Sequence, residues 1–296
     1  MWFLGETLDY EGQIVRPPSE ANSIILQATV GCSHNRCTFC VTYLAKRFRL
    51  KEKEIVESDI KKAAKLYPEV TRLFVADGDA LIMPMERWEW LLGLIKEHLP
   101  SVKRVSAYAT GKSVRKKSDE DLARLKELGL GILYLGVESG DDPTLEYIKK
   151  DSTAAELVDA GQRIKKAGIK VSITILLGIA PPGREMEHAV NTGKLITAMD
   201  PDYVGCLSVM VCEGTELEGL VRSGKHLVPD ATGYMRELKG ILENTRMTRG
   251  LFMSNHASNH LPLKVRMPGG REAAIEMIEK GLRGEARLRP EGYRAL

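Results

Sequence analysis

Six short apolar runs, each followed by a helical pattern, constrain the fold of this chain more than any other feature. They start near residues 23, 72, 104, 132, 170 and 202. Each is strand-sized and apolar on both faces, as in Arg72-Leu73-Phe74-Val75-Ala76, which a strand covered by helices requires. Between them the period becomes helical. Val56, Ile60, Ala63 and Tyr67 share one stripe, with Pro68 beyond its end, and Trp88, Leu92, Ile95 and Leu99 share the next. Ser118-x-x-Asp121 and Thr153-x-x-Glu156 are capping boxes, and Gly129 and Gly168 stop the helices they open. A helix across residues 187–199 leads to the sixth strand, residues 203–211. Strands that alternate with helices pair in parallel, so the fold class is α/β. Residues 23–215 hold the six units, fewer than the roughly 250 residues of an eight-unit barrel.

The flanks are simpler. Residues 1–22, with Arg16-Pro17-Pro18, are an extended lead-in. Residues 216–296 hold a helix near 234–244, an irregular stretch, and a last helix with Ile275, Ile278 and Leu282; they read as a closure packed on the six units. Apolar residues make up 43% of the chain, enough for a single core. A net charge of +3 is far from a nucleic-acid-binding signature. The longest apolar run, near 173–180, is too short to span a membrane, and Glu6, Asp9 and Glu11 argue against a signal peptide. Five cysteines, three of them clustered, suit a reducing compartment, so a cytoplasmic location is expected.

The loop after the first strand carries chemistry. Gly31-Cys32-Ser33-His34-Asn35-Arg36-Cys37-Thr38-Phe39-Cys40 places three cysteines within nine residues. Three thiolates cannot close a tetrahedral zinc site alone, and an odd set leaves a disulfide framework incomplete. They can hold a cubane 4Fe–4S cluster by three irons and leave the fourth open. Other readings stand beside this one. C-x4-C-x2-C also opens the plant-type 2Fe–2S pattern, with Cys206 or Cys212 as fourth ligand. Zinc held by the three cysteines and His34 needs strained geometry, and three unliganded thiols need nothing.

With Phe39 just before the last cysteine, the loop resembles that of the radical S-adenosylmethionine (radical SAM) superfamily, usually C-x3-C-x2-C; here the first gap is one residue longer. The resemblance implies a partial (βα)6 TIM-like barrel of parallel strands with a mainly helical C-terminal extension, and ligands at the C-terminal strand ends. It implies a 4Fe–4S cluster on Cys32, Cys37 and Cys40, and SAM beside it. Asp77-Gly78-Asp79, after the second strand, stands where the family has Gly-Gly-Glu for the amino group of SAM, with a carboxylate one methylene shorter. Gly136-Val137-Glu138-Ser139-Gly140, after the fourth, is similar to a segment of the branch containing oxygen-independent coproporphyrinogen oxidases, elongator-type and methylthiotransferase domains. There the Glu or Gln meets the ribose hydroxyls. Lys150 stands where that branch often has a basic residue for the SAM carboxylate. Tyr108 and Leu177 match positions that line the nucleoside, and residues 178–183 match the Gly-Leu-Pro-Gly turn.

By this resemblance the chain is an enzyme. The reduced cluster passes an electron into SAM, and the resulting 5′-deoxyadenosyl radical takes a hydrogen atom from an unidentified small-molecule or peptide substrate. An electron donor such as flavodoxin or ferredoxin is implied as a partner. The basic stretch Lys46-Arg47-Phe48-Arg49-Leu50-Lys51 is a solvated rim or an attraction for such a partner. Cys212, at the end of the sixth strand and in parity with Cys206, is the candidate hydrogen-atom donor. Ser254-Asn255-His256-Ala257-Ser258-Asn259-His260 is expected to be a hydrogen-bonded loop first and a substrate wall second. The competing class is a non-catalytic cluster- or haem-binding chaperone on the same fold.

Overall fold

A computed structural model describes residues 7–295, so Glu6 of the acidic N-terminal stretch lies outside the described residues. β1 (Ile24–Gln27) runs into a short ladder, β2 (Thr29–Val30) against β3 (Arg49–Leu50), and then α1 (Lys53–Leu66). β4 (Arg72–Ala76), α2 (Met85–His98), β5 (Arg104–Ala109), α3 (Gly111–Arg115), α4 (Asp119–Glu127) and β6 (Leu130–Glu138) follow. α5 (Asp142–Tyr147), α6 (Ala154–Lys166), β7 (Lys170–Leu177), α7 (Glu185–Met199) and β8 (Tyr203–Ser208) complete the alternation. The tail holds α8 (Glu216–Arg222), α9 (Ala231–Glu243), β9 (Leu251–Met253), β10 (Lys264–Arg266) and α10 (Arg271–Leu282).

One sheet has the strand order β1-β4-β5-β6-β7-β8-β9-β10. The β1–β4, β4–β5, β7–β8 and β8–β9 ladders are parallel, and β9–β10 is antiparallel. The expected α/β class with consecutive parallel strands is therefore present. β1 is buried along its whole length and β4 along all but its first residue, as strands covered on both faces must be. Both capping boxes form: Asp121 N–H donates to Ser118 Oγ at 3.0 Å, and Thr153 N–H to Glu156 Oε2 at 2.8 Å.

The chain divides into two compact units, with the division falling inside β6. The first runs to Asn35, resumes over Thr42–Tyr134 and adds Lys166–Ile169. Its core includes Leu26, Phe74, Val75, Trp88 and Leu125, all buried. The second takes Arg36–Val41, Leu135–Lys165 and the chain from Lys170 onward. There α9 packs on α7 and α10, burying Leu238, Ile241 and Leu242. Truncating any of these to alanine costs about 2–5 kcal/mol.

Three expectations need correction. β8 ends at Ser208 rather than at residue 211, because Val209 N–H makes the last bond to β7, at Leu177 O. Cys212 thus lies beyond the strand, and its parity with Cys206 has no meaning. Tyr67, placed on the buried stripe of α1, is the C-cap of that helix and is exposed. The irregular stretch of the tail contains β9 and β10, whose three residues each are too short to show a period.

Candidate active site

The cysteine loop is an excursion between β2 and β3, so the ladder that pairs Val30 with Arg49 closes its two ends. Gly31 opens it at φ +78°, and its N–H donates to Asp77 Oδ2 at 3.1 Å. Asn35 absorbs the long first gap. It adopts a left-handed φ of +47°, tolerable for Asn, and its Nδ2 donates to the carbonyls of Tyr43 at 2.8 Å and Lys46 at 3.3 Å. In the second unit, Cys40 N–H donates to Cys37 O at 3.2 Å, closing a tight turn over Thr38 and Phe39. Thr38 anchors that turn: its N–H donates to Ile148 O, and its carbonyl accepts from Leu217 N–H. Cys32, Cys37, Phe39 and Cys40 are half-buried, and none of the cysteines is in a disulfide.

Among the described residues no three His, Cys, Asp or Glu side chains converge on a single point as a metal-ion cage would need. A cubane cluster makes a different demand, because each thiolate takes its own iron at its own corner. The loop thiols are half-buried and outside any disulfide, so each can be reached by an iron of its own.

Asp77, Gly78 and Asp79 leave the end of β4 with three different tasks. Asp77 is fully buried and ties the cysteine loop through one oxygen: Oδ2 accepts from Gly31 N–H, from Gln27 Nε2 at 3.2 Å and from Lys46 Nζ at 3.2 Å, while Oδ1 has no hydrogen-bond partner. Gly78 lies so close to the loop that an added Cβ would stand 2.4 Å from the Tyr43 ring and 3.0 Å from Cys32 Cβ. Asp79 is also fully buried, with Oδ2 accepting from Ser33 Oγ at 2.5 Å and from Thr110 Oγ1 at 3.1 Å. Its Oδ1 has no hydrogen-bond partner. Burial pushes the Asp79 carboxyl pKa up against those hydrogen bonds. A buried carboxylate with one bare oxygen suits an incoming ammonium group. Tyr108, half-buried, stands edge-on to Phe74 with ring centroids 4.9 Å apart, and burial raises its hydroxyl pKa.

The second unit brings two other expected residues together. Glu138 ends β6 at φ +66°, and its Oε1 accepts from Lys150 Nζ at 3.0 Å. Lys150 is not the solvated lysine that its charged neighbours suggest, since its side chain is only 9% exposed. Gly136 makes room for the pair: an added Cβ would fall 2.6 Å from Glu138 Oε1 and 3.0 Å from Lys150 Nζ. Leu177, the last residue of β7, is buried.

A further set of polar residues, unforeseen from the sequence, holds the turn after Glu138. Asp141 Oδ1 accepts from Arg184 Nη2 at 2.8 Å and from Asn191 Nδ2 at 2.9 Å. Burial raises the Asp141 pKa, but hydrogen bonds from Arg184, Thr144 and Asn191 outweigh it and bring the carboxyl to about 2. Gly140 N–H donates to Thr192 Oγ1 at 2.9 Å, and Ser139 Oγ meets His188 Nδ1 at 2.8 Å. Arg184 precedes α7, and His188, Asn191 and Thr192 lie on it at helical spacing. That polar stripe was the available signal.

Cys212 is half-buried in the turn that enters α8, where Thr215 Oγ1 donates to its carbonyl at 2.6 Å. Burial raises its thiol pKa, and the nearby Cys40 adds to the effect. Cys206 is fully buried. The 254–260 loop is hydrogen-bonded to the end of β8: Asn259 Nδ2 donates to the carbonyls of Cys206 and Ser254, and Asn259 Oδ1 accepts from Ser208 Oγ at 2.8 Å. His256 and His260 face Ser258 and the Arg289 carbonyl.

A family model described as the radical SAM superfamily matches residues 26–195. The chain belongs to the radical SAM superfamily. It is accordingly a radical SAM enzyme, of a family that uses a 4Fe–4S cluster and SAM. An uncharacterized protein of Methanocaldococcus jannaschii is 26% identical over 236 residues, which cover 73% of this chain and 69% of that one. A heme chaperone of Bacillus subtilis is 25% identical over 55% of this chain, which spans only 43% of the chaperone. Coproporphyrinogen III oxidase from Escherichia coli shares the radical SAM fold with a TM-score of 0.54, at 13% identity, over 75% of this chain and 51% of that one. Matches to an archaeal tRNA uridine(34) acetyltransferase and to a methylthiotransferase-type protein join these in the expected branch. Among the described residues no helix is long and apolar enough to cross a membrane.

Proposed function

We propose that the chain uses Cys32, Cys37 and Cys40 to hold a 4Fe–4S cluster and binds SAM beside it for radical chemistry on a small-molecule or peptide substrate. When bound, the reduced cluster and SAM together supply a 5′-deoxyadenosyl radical that abstracts hydrogen. The observation that carries the reading is Asp79, a buried carboxylate tied to Ser33 of the cysteine loop with one oxygen bare. Asp79 receives the amino group of SAM, and Lys150 its carboxylate. Glu138 accepts the ribose hydroxyls, while Phe39, Gly78, Tyr108 and Leu177 exclude water around the nucleoside. Asp77 holds the loop through Gly31 and Lys46. Cys212 would return the hydrogen atom of its thiol to the substrate radical. One electron from the flavodoxin or ferredoxin donor, with a proton from solvent, would restore the thiol from the thiyl radical left behind. Residues 23–215 form the catalytic barrel and 216–296 its closure, with flavodoxin or ferredoxin as electron donor.

The test is anaerobic reconstitution, dithionite reduction, addition of SAM and chromatographic measurement of 5′-deoxyadenosine. Product above a Cys32→Ala, Cys37→Ala, Cys40→Ala control supports the reading. A cluster that assembles without product, alone or with candidate substrates, overturns it.

A second reading is supported by the heme chaperone among the relatives: a cluster-bearing protein that carries haem and turns nothing over. Retention of haem through gel filtration, with no 5′-deoxyadenosine, would favour it.

A further inference from the structure

The left-handed backbone of Glu138, at φ +66°, has to be held by something, because a residue with a Cβ is strained in that conformation. The hold begins at the next residue. Ser139 is fully buried, and its Oγ accepts from Asp141 N–H at 3.0 Å and lies 2.8 Å from His188 Nδ1. With the Asp141 amide already donating to it, the Ser139 hydroxyl has its own hydrogen for Nδ1. His188 is therefore assigned as the Nε2–H tautomer. On its far side Nε2 has no hydrogen-bond partner and faces Glu237 Oε2 at 3.8 Å. Glu237 Oε2 accepts from Gly178 N–H at 2.7 Å, directly after Leu177. The Gly178 carbonyl is held as well, 3.1 Å from His226 Nε2, and an added Cβ on Gly178 would stand 2.5 Å from the Tyr234 ring.

Buried polar groups thus reach from the turn after β6 to the turn after β7 through one side chain of α7 and one of α9, which face each other across 3.8 Å without a hydrogen bond. Burial keeps both neutral, lowering His188 to about 4 and raising Glu237 to about 8, so the path buries no net charge. Packing α7 on α9 needs no such groups, since apolar side chains would serve it. We propose that His188 and Glu237 are positioning residues that tie these two turns together and so fix Glu138 and Leu177 for SAM. This rests on the reading that Glu138 and Leu177 line the SAM site.

The experiment measures the dissociation constant for SAM by equilibrium dialysis of the cluster-reconstituted protein, alongside hydrogen exchange of the segments 136–142 and 176–183. His188→Leu and Ser139→Ala are expected to weaken SAM binding about tenfold, the worth of one buried hydrogen bond. His188→Asn, which keeps an acceptor for Ser139, is expected to restore most of that. Ser254→Ala, a buried hydroxyl loss elsewhere in the same unit, should leave SAM binding unchanged. In His188→Leu and Glu237→Gln both exchange segments should lose protection together, although they are far apart in sequence. Wild-type affinity in folded Ser139→Ala and His188→Leu overturns the inference alone. So does loss of protection confined to one segment, which can be read even where a variant is too unstable for dialysis. A wild-type protein that does not bind SAM brings down the reading of the site itself, and the inference with it.

Discussion

Lys150 Nζ lies 3.0 Å from Glu138 Oε1, with both side chains about nine-tenths buried. Two residues twelve apart in the chain are thus brought together as a buried ion pair. The pair keeps each buried charge compensated.

Breaking a buried pair on one side leaves the other charge stranded. Lys150→Met is therefore expected to destabilise the protein by about 3 kcal/mol, and Glu138→Gln added to it to recover most of that loss. Urea denaturation of the four members of the cycle checks this. A Lys150→Met protein as stable as the parent would show that the charge is not buried in solution.

Asp79→Asn separates stability from binding. Burial opposes charge on Asp79, so a neutral amide of the same shape should keep or slightly raise the melting temperature. The same change removes the counter-charge for the amino group, and SAM affinity should fall by about tenfold or more. Unchanged affinity would remove Asp79 from the site.

Asn35 is the device that accommodates the long cysteine gap. Asn35→Gly keeps the left-handed conformation and loses only the bonds to Tyr43 and Lys46, whereas Asn35→Val forces a β-branched residue to φ +47°. Iron and sulfide per chain after reconstitution should fall little in the first and by more than half, roughly, in the second. Equal iron content in both variants would mean that the loop does not need this backbone.

The cysteines outside the loop offer another check. Cys206→Ala with Cys212→Ala should leave iron content unchanged if only the three loop thiols bind the cluster. Loss of the cluster in the double variant would instead support a four-cysteine 2Fe–2S centre.

The buried Glu237 and His188 give stability a defined pH dependence. Burial raises Glu237 from 4.5 to about 8, so its contribution is fully present below 4.5 and is lost as pH rises through about 8. His188, lowered from 6.5 to about 4 by burial, contributes above 6.5 and loses that contribution as pH falls through about 4. Between pH 5 and 8.5 the wild type should lose stability relative to Glu237→Gln, by an amount on the order of several kcal/mol. Parallel melting curves across that range would show that the carboxyl already titrates normally.

Much of this molecule could be read before any coordinate was known. Parallel strands followed from apolar runs spaced by helical stripes, because a strand buried on both faces and a helix buried on one have different periods. The cysteine loop, the two carboxylate segments and Lys150 were visible as residue types at fixed chain positions, since strand ends present their next residues to one end of a sheet. The tail strands escaped because three residues carry no period, and Cys212 was misplaced because nothing local marks where β8 loses its partner. Pairing of Glu138 with Lys150, the bare oxygen of Asp79, and the path from Ser139 through His188 to Gly178 were decided by tertiary structure alone. Each depends on which side chains meet across the fold, and on how little water reaches them. A sequence states which groups are present; only packing sets the distances and the burial that give them their charge states.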